Sequence, residues 1–403
     1  MDLTLDPALD ALAAEAHAVG AELAGRRPIR EDGWLMGLDA EAAVELARRG
    51  WIGMTWPVEV GGGGRSPLER FVVFEALIGE GAPLASCYFA DRQIGPTLLQ
   101  FGDDAQRDRW LPGILAGTDT WCIGMSEPDA GSDVASLRTR AVRDGDEWVV
   151  DGAKVWTSGA AHADWCYVIA RTDPDAPPHA GLSELVVDMA SPGIEVRPIV
   201  DATGDAHFCE VRFEGVRVPA DHLVGTLHGS FRQVMKQMEH ERGGIDRLVS
   251  NHRLYRDVLP LADRADPLVR QQIARLETGY RLGRLLVLRE VLGQAPPQFS
   301  AATKTFCTEH EQAVAAFAAS VLGPAATAWA PIDAPGADAV DRSSAGPQAP
   351  GAGPRPGAPE VAWPLAARVA RGVAYAPAYT IMGGTTQILR TIIADRVLAL
   401  PRA

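Results

Sequence analysis

Cysteine is scarce in this chain of 403 residues, which has five. The five are scattered, odd in number and never in a CxxC spacing: Cys87, Cys122, Cys166, Cys209 and Cys307. A disulfide framework and a zinc site are therefore not expected, and we expect no bound metal. This use of cysteine fits a reducing compartment, so the sequence predicts a cytoplasmic protein.

Basic residues are outnumbered as well. The chain has 38 lysines and arginines against 52 aspartates and glutamates, which gives a net charge of -14. Nucleic acids and anionic membranes both require a basic surface, so neither is an expected partner. An anionic small molecule needs only a local basic patch and stays compatible with this charge. The sequence starts without a signal-peptide pattern and has no uncharged apolar run of membrane-spanning length.

The spacing of apolar residues changes twice along the chain. Residues 1–118 have helical spacing, residues 119–226 form short stretches rich in Val, Ile, Trp and Phe, and residues 227–403 return to helical spacing. We therefore predict an α+β fold with an N-terminal helical domain, a middle antiparallel β domain and a C-terminal helical bundle. "RDGDEW" at 143–148 predicts a hairpin turn within the β domain.

Two segments are predicted to lie outside regular structure. Residues 323–362 are dense in Pro, Gly, Ala and Ser, so we expect a mobile insertion between two helices; a functional lid is the alternative. The "GGGGRS" stretch at 61–66 is too irregular for a phosphate-binding motif, and we interpret it as a surface turn.

A carboxylate stands on an apolar helix face in the third region. The stretch from 229 to 262 has one long helical pattern, and Glu241 falls on its apolar stripe, which consists of Phe231, Val234, Met235, Met238, Ile245 and Leu248. One hypothesis is a structural ion pair with Arg242 or Arg247. The other is a functional group in a buried site. The glycines that follow, Gly243 and Gly244, weaken a helix and predict close packing against the backbone.

Two motifs bracket the first half of the β region. "WCIGMSEPDAGSD" at 121–133 offers backbone amides around Met125 and Ser126, then a Gly131-Ser132 turn whose N–H groups could approach a phosphate. In "KVWTSG" at 154–159, regular strand alternation would place Trp156 and Ser158 on one face, a flat wall suited to an aromatic ring system. A core tryptophan at a strand end is the alternative for the second motif.

Four motifs in this order resemble one family. "MSEPDAGSD", "DGAKVWTSG", "FEGVRVPADHLVG" at 213–225 and "GGTTQILRTIIADRVL" at 383–398 are similar to those of the acyl-CoA dehydrogenases, flavoproteins that oxidise acyl thioesters to enoyl thioesters. The resemblance covers nearly the whole chain except the 323–362 insertion. It implies bound FAD held by residues from all three regions: Met125, Ser126, Gly131, Ser132, Trp156, Ser158, Thr385 and Gln387.

One departure from the family pattern concerns the catalytic base. Many members carry a glutamate directly before the Gly-Thr of the last motif, where this chain has Gly383, which has no side chain to act as a base. Other members carry it on the helix after the β domain, directly before an arginine, and Glu241-Arg242 matches that alternative. The resemblance then implies that Glu241 removes the α-proton while flavin N5 takes the β-hydride. The backbone N–H of Gly383 would contact the thioester carbonyl, and Arg242 would orient the helix or the CoA.

The resemblance also implies substrates and partners. The substrate would be an acyl-CoA or an acyl carrier protein thioester in a lipid β-oxidation reaction, with an electron-transfer flavoprotein as acceptor. "MEHER" with "GGT" is similar to actinobacterial members that act on steroid side chains or other bulky acyl-CoAs. Some of those are hetero-oligomers of two unlike subunits.

A second departure bears on assembly. The chain lacks the Arg-x-Gln-Phe-Gly stretch that common members carry, and "ARVARGVAYAPAYT" replaces their Gly-rich segment. A homo-oligomer and a hetero-oligomer with a second acyl-CoA dehydrogenase-like chain therefore both stay open. So do two other functions, a non-catalytic partner subunit and a flavin monooxygenase or nitro-forming enzyme on the same fold. The retained Glu241 argues against both of them.

Overall fold

The structure, a computed structural model, describes residues 6–26, 29–242, 244–327 and 362–401; the side chains of residues 238–242 and 362–364 lie outside the description. Most of the predicted insertion, residues 328–361, lies outside the described residues. Its two flanks are described: a short 3-10 turn, Gly323–Thr327, precedes it and a helix begins at Ala362. All five cysteines are buried free thiols.

Helices fill the first region. In chain order they are α1 (Pro7–Gly25), α2 (Gly33–Met36), α3 (Ala40–Arg48), α4 (Pro67–Gly79), a π-helical turn (Ala90–Ile94), α5 (Gly95–Phe101) and α6 (Asp104–Ala116). Side-chain caps explain where several begin. The Asp6 carboxylate accepts a hydrogen bond from the N–H of Ala8 at the start of α1, and Ser66 with Glu69 forms a capping box on α4. The predicted surface turn at 61–66 is the loop that leads into this cap.

The middle region forms one sheet of eight strands. They are β1 (Trp121–Gly124), β2 (Arg140–Asp144), β3 (Glu147–Ser158), β4 (Trp165–Arg171), β5 (Leu182–Asp188), β6 (Ile194–Ile199), β7 (Phe208–Pro219) and β8 (Leu223–Val224). The order is β6-β7-β3-β2-β4-β5-β8, with β1 beside β4. The β2–β3 hairpin confirms the predicted turn at 143–148. The sheet is antiparallel except where β4 runs parallel to β1 and, at one residue pair, to β2.

Helices return in the third region. They are α7 (Ser230–Arg242), α8 (Asp246–Val249), α9 (His252–Val258), α10 (Pro267–Val291), α11 (Phe299–Leu322), α12 (Ala362–Tyr379) and α13 (Thr386–Ile392), and a π-helical turn (Ile393–Val397) follows the last. The prediction of one long helix from 229 to 262 is wrong, because α7, α8 and α9 are separate. The apolar stripe around Glu241 is therefore not continuous on one helix.

Gly244 marks the break after α7. A Cβ atom at this position would lie 2.0 Å from Oδ1 of Asp246 and 3.0 Å from Nη2 of Arg92. The Asp246 carboxylate is fully buried and cannot move aside easily, since it accepts hydrogen bonds from the Tyr88 hydroxyl at 3.1 Å and from Arg92 at 2.8 Å. The close packing expected from the sequence is found at Gly244, against a buried ion pair between Asp246 of the third region and Arg92 of the first, and glycine is the residue that fits.

The largest apolar core draws on all three regions. It is built mainly on helices of the first region, including Phe74 and Leu77 of α4, and it takes in Tyr167 of the sheet and Leu248 of α8. A second core, around Val150 and Val211, fills one face of the sheet. Among the helices that the structure describes, none is both long enough and apolar enough to cross a membrane.

The packing at Gly244 is testable by substitution. We expect Gly244→Ala to lower the free energy of unfolding by about 1–3 kcal/mol, because the added methyl group overpacks the Asp246–Arg92 pair. Gly25→Ala is the matched control, since a Cβ there meets nothing within 4 Å, and it should change stability by less than about 0.5 kcal/mol. Urea unfolding measures both; equal stability of the two variants would contradict the packing argument.

Candidate active site

A buried ion pair joins the two motifs of the β region. Lys154 of β3 is fully buried, and its Nζ donates to Oε1 of Glu127 at 2.8 Å and to the carbonyl of Met125 at 3.1 Å. The carboxylate of Glu127 also accepts the backbone N–H groups of Arg138 and Thr139, at 2.7 and 2.8 Å. The loop after β1 is therefore fastened to β3 through one side chain at each end.

The same pair defines the electrostatics of this loop. Burial by itself would raise the pKa of Glu127, but the Lys154 ammonium and the two backbone donors outweigh burial and hold this pKa below its ordinary value. The turn that follows closes through two backbone hydrogen bonds between Glu127 and Ala130. Beyond it Gly131 and Ser132 are exposed, and a Cβ at Gly131 would meet nothing within 4 Å. The described residues therefore leave Gly131 and Ser132 uncovered.

Trp156 lies in a strained bulge of β3. The pairing of β3 with β7 shifts register between Lys154 and Thr157, and Trp156 has a φ of 60°, rare for a bulky residue. The regular alternation assumed for Trp156 and Ser158 is thus interrupted, because Lys154 and Thr157 are both buried three positions apart. The strain turns Trp156 outward: it is 56% exposed, so the core-tryptophan alternative is wrong.

Ser158 lines a small pocket at the end of β3. Three aromatic side chains of the pocket come from other elements, Trp34 from α2, Phe89 from just before the first π-helical turn, and Trp121 from β1. The neighbouring hydroxyl of Thr157 is buried and has no hydrogen-bond partner among the described residues. Flat apolar walls beside a few hydroxyl groups are the kind of lining that binds a planar ring system.

The Gly-Gly-Thr-Thr turn leads into α13 as predicted. Gly383 and Gly384 have φ values of 64° and 91°, and the Thr385 hydroxyl caps the helix by accepting the N–H of Ile388 at 3.2 Å. A buried residue of α11 stabilises the turn. Lys304 is fully buried, and its Nζ donates to the carbonyl of Gly384 at 2.9 Å. Gln387 is exposed on the first turn of α13.

A short chain of contacts connects this turn to Trp156. The Trp156 ring meets the ring of Phe208 edge to face, with centroids 5.7 Å apart. Phe208 in turn belongs to an apolar cluster with Leu35 and Met382, the residue before Gly383. The second and last predicted motifs thus lie against a common apolar cluster.

Helix α7 brings the third element to the site. Val234 and Met235 pack in one cluster with Met125, so the helix lies against the first motif. Glu241 and Arg242 occupy its last turn, and their side chains lie outside the described residues. Arg247, a suggested ion-pair partner, lies 3.5 Å from Asp246 and has its guanidinium 5.0 Å from the centre of the Trp34 ring.

The sequence analysis assigned no role to three residues whose contacts connect the motifs: Glu127, Phe208 and Lys304. Lys154 and Glu127 offered one signal, since each lies inside a quoted motif and a lysine within an apolar strand needs a counter-charge when buried. The contact of Lys304 with Gly384 had no signal, because 80 residues separate them. Among the described residues no group of three His, Cys, Asp or Glu side chains is arranged to hold a metal.

A second cavity lies between α2, the loop after β6 and α12. Its lining is charged: Arg30 pairs with Asp205 at 3.0 Å, and Arg371 reaches the same carboxylate at 3.2 Å. The lining as a whole has three arginines and three carboxylates, so its charges balance, and the aromatic pocket beside Ser158 is the better candidate for a ring-shaped ligand.

Comparison with known proteins assigns three family domains to the chain. Residues 16–118 match "Acyl-CoA dehydrogenase, N-terminal domain", residues 122–216 match the middle domain and residues 231–398 match the C-terminal domain of that family. The acyl-CoA dehydrogenase IpdE1 of Mycobacterium tuberculosis is 36% identical over 366 residues, which are 89% of this chain and 86% of that protein.

Solved structures share the whole fold. The Tcur3481-Tcur3483 steroid ACAD has a TM-score of 0.83 and 33% identity, with all of both chains covered. The ChsE4-ChsE5 complex of Mycobacterium tuberculosis has a TM-score of 0.81 and 29% identity, again over the whole of both chains. Each of these two relatives is a complex of two named components.

The buried pair predicts a specific loss of stability. We expect Glu127→Gln to lower the free energy of unfolding by about 3–5 kcal/mol, because it leaves the Lys154 ammonium buried without a counter-charge. Since the folded state lowers the pKa of Glu127, its contribution is complete above the ordinary carboxyl pKa and is lost as the pH falls below it. The deficit of the variant should therefore shrink in acid.

Asp129→Asn is the matched control for this measurement. Asp129 belongs to the same loop, but its ion pair with Arg138 is 3.6 Å long and both side chains are about four-fifths exposed. We expect this variant to stay within about 0.5 kcal/mol of the parent. Urea unfolding at pH 7 and pH 4 compares all three proteins; a Glu127 variant as stable as the control would contradict the role of the pair.

Proposed function

The chain belongs to the acyl-CoA dehydrogenase family, and we propose that it is an FAD-dependent enzyme that converts an acyl-CoA to the enoyl-CoA with Glu241 as the base. One observation carries the proposal. Helix α7, whose last turn contains Glu241, packs through Val234 and Met235 on Met125, the first residue of a motif that the family resemblance assigns to the flavin.

The residues around the aromatic pocket fit a flavin. The outward-facing Trp156 ring offers a flat apolar surface, and the Thr157 hydroxyl is buried with no hydrogen-bond partner among the described residues. We propose that Met125, Ser126, Trp156 and Ser158 hold the isoalloxazine, that Gly131 and Ser132 lie at phosphate groups, and that Thr385 and Gln387 contact the cofactor from α13. Bound FAD would supply the acceptor for the β-hydride, chemistry that amino-acid side chains lack.

The chain itself has to supply a base for the α-proton and hydrogen-bond donors for the thioester carbonyl. The α-proton of a thioester is weakly acidic, so developing negative charge on the carbonyl oxygen needs hydrogen-bond donors. Gly383 has no side chain, but its backbone N–H remains available for that role, and Lys304 holds the carbonyl of the adjacent Gly384. We propose that Glu241 acts from a site shielded from water, because a carboxylate removed from water is a stronger base than one at the surface.

Two features support a bulky acyl group and a partner chain. The similar solved structures are named as a steroid ACAD and as two-component complexes, and the interface stretches of common family members are missing from this sequence. We propose a CoA thioester with a branched or ring-bearing acyl chain, an electron-transfer flavoprotein as acceptor, and a hetero-oligomer with a second chain of the same family. The buried free thiols support the cytoplasmic location expected from the sequence.

The assignment of the base is tested by substitution. We expect Glu241→Gln to keep bound flavin and to lose enoyl-CoA formation by at least roughly 100-fold, because the amide cannot accept the α-proton. Glu239→Gln, which removes the same charge two residues earlier on α7, is the control and should retain turnover. Flavin bleaching with a panel of acyl-CoAs measures the turnover of both variants. Unchanged turnover in Glu241→Gln would contradict the assignment.

The need for a second chain is tested by the visible absorption spectrum of this chain purified alone. We expect little flavin absorbance, even after FAD is added, and a stoichiometric flavin band after co-expression with the partner chain, because the interface stretches are absent here. A full flavin band in the chain alone would instead establish a homo-oligomer that completes its own site.

A further inference from the structure

A buried carboxylate lies beneath helix α7. Glu184, in the middle of β5, is fully buried, and its two oxygens face four hydrogen-bond donors. One is the hydroxyl of Tyr167 on the neighbouring strand β4. The other three come from α7: Ser230 Oγ at 3.0 Å, Gln233 Nε2 at 2.7 Å and Gln237 Nε2 at 3.2 Å.

The three donors of α7 follow one face of the helix. They stand at spacings of three and four residues, so they lie on successive turns, and the same spacing leads from Gln237 to Glu241 on the next turn. The carboxylate therefore accepts hydrogen bonds along the first two turns of the helix, and the same spacing continues to the proposed base.

Burying this carboxylate is costly, which points to a purpose other than stability. Burial raises the pKa of Glu184 to about 7, although its hydrogen-bond donors act in the opposite direction. An apolar contact at this place would hold two elements together at lower cost. What an apolar contact lacks is direction, because side chains such as Val234 tolerate small rotations and slides that hydrogen bonds at fixed distances do not.

We propose that Glu184 is a positioning residue, which fixes the rotation and the axial position of α7 on the sheet and so aims Glu241 at the substrate's α-carbon. This rests on the proposed function of Glu241. A slip of α7 by one residue would move that residue by 1.5 Å along the axis and 100° around it, whereas proton transfer needs hydrogen-bond distance. Glu184 itself touches neither substrate nor cofactor; it acts through the helix.

The first test measures the protection of α7 against hydrogen exchange and requires no enzymatic activity. In the full chain, we expect Glu184→Gln to accelerate amide hydrogen exchange across residues 231–242 by roughly tenfold or more, because an amide group turns N–H donors toward donors of α7. Glu80→Gln is the matched control. It also removes a buried carboxylate with several hydrogen bonds, but its partners His17, Arg253 and Arg256 lie on α1 and α9. Exchange of α7 as slow as in the control would overturn the proposal.

A milder variant guards against loss of the fold. Gln237→Met removes one of the four donors and leaves three on the carboxylate, and we expect an intermediate rise in exchange at the end of α7. The double variant Glu184→Gln/Gln237→Glu restores one carboxylate and its amide partner with the positions exchanged. It should recover part of the protection of the helix; a double variant as poorly protected as Glu184→Gln would contradict a directional contact.

The second test reads the reaction. In the flavin-loaded enzyme, Glu184→Gln should lower the rate of flavin reduction by saturating acyl-CoA by roughly 10- to 100-fold, while the substrate concentration for half-saturation changes less than threefold. The double variant should restore part of the rate. A merely structural role would lower stability and leave this rate unchanged. If Glu241→Gln keeps full turnover, the proposed base is wrong, whereas unchanged α7 exchange in Glu184→Gln refutes the positioning role alone.

Discussion

The buried pair of Lys154 and Glu127 is the contact on which the site region depends. A charged group inside a protein must find an opposite charge, and here each partner is carried by a different motif. Satisfying this one requirement fastens the loop of Met125 to β3. The bulge of β3 begins at the same residue, because the register shift starts at Lys154 and the exposed Trp156 follows within it. The buried ion pair thus lies at the start of the bulge that exposes Trp156.

Polar contacts between segments distant in sequence occur both between the regions and within the third region. Arg92 forms an ion pair with Asp246 after the end of α7, and Lys304 donates a hydrogen bond to the carbonyl of Gly384. Glu184 of the sheet accepts hydrogen bonds from α7. Apolar packing supplies most of the stabilisation of such a fold, but it is tolerant of small shifts. Hydrogen bonds at fixed distances are less tolerant, so these polar contacts restrict how the joined segments lie against one another.

The sequence predicted the fold class correctly because period and turn chemistry are local properties. The hairpin at 143–148 and the helix after the Gly-Gly-Thr-Thr turn both formed where their residues indicated. The family membership followed from motifs that stood in order along the chain. The single helix predicted through Gly244 was wrong, since the pattern of apolar residues continues past that point while the backbone does not.

What the sequence by itself determined is therefore the set of elements and the identity of the motifs, through periodicity, capping and glycine-rich turns. Only the tertiary structure decided that Lys154 would meet Glu127, that Trp156 would turn outward, and that Glu184 would find three donors on α7. Spacing along a chain indicates which residues share a face of one element. It does not indicate which faces meet, because that depends on how all the elements satisfy their buried polar groups together.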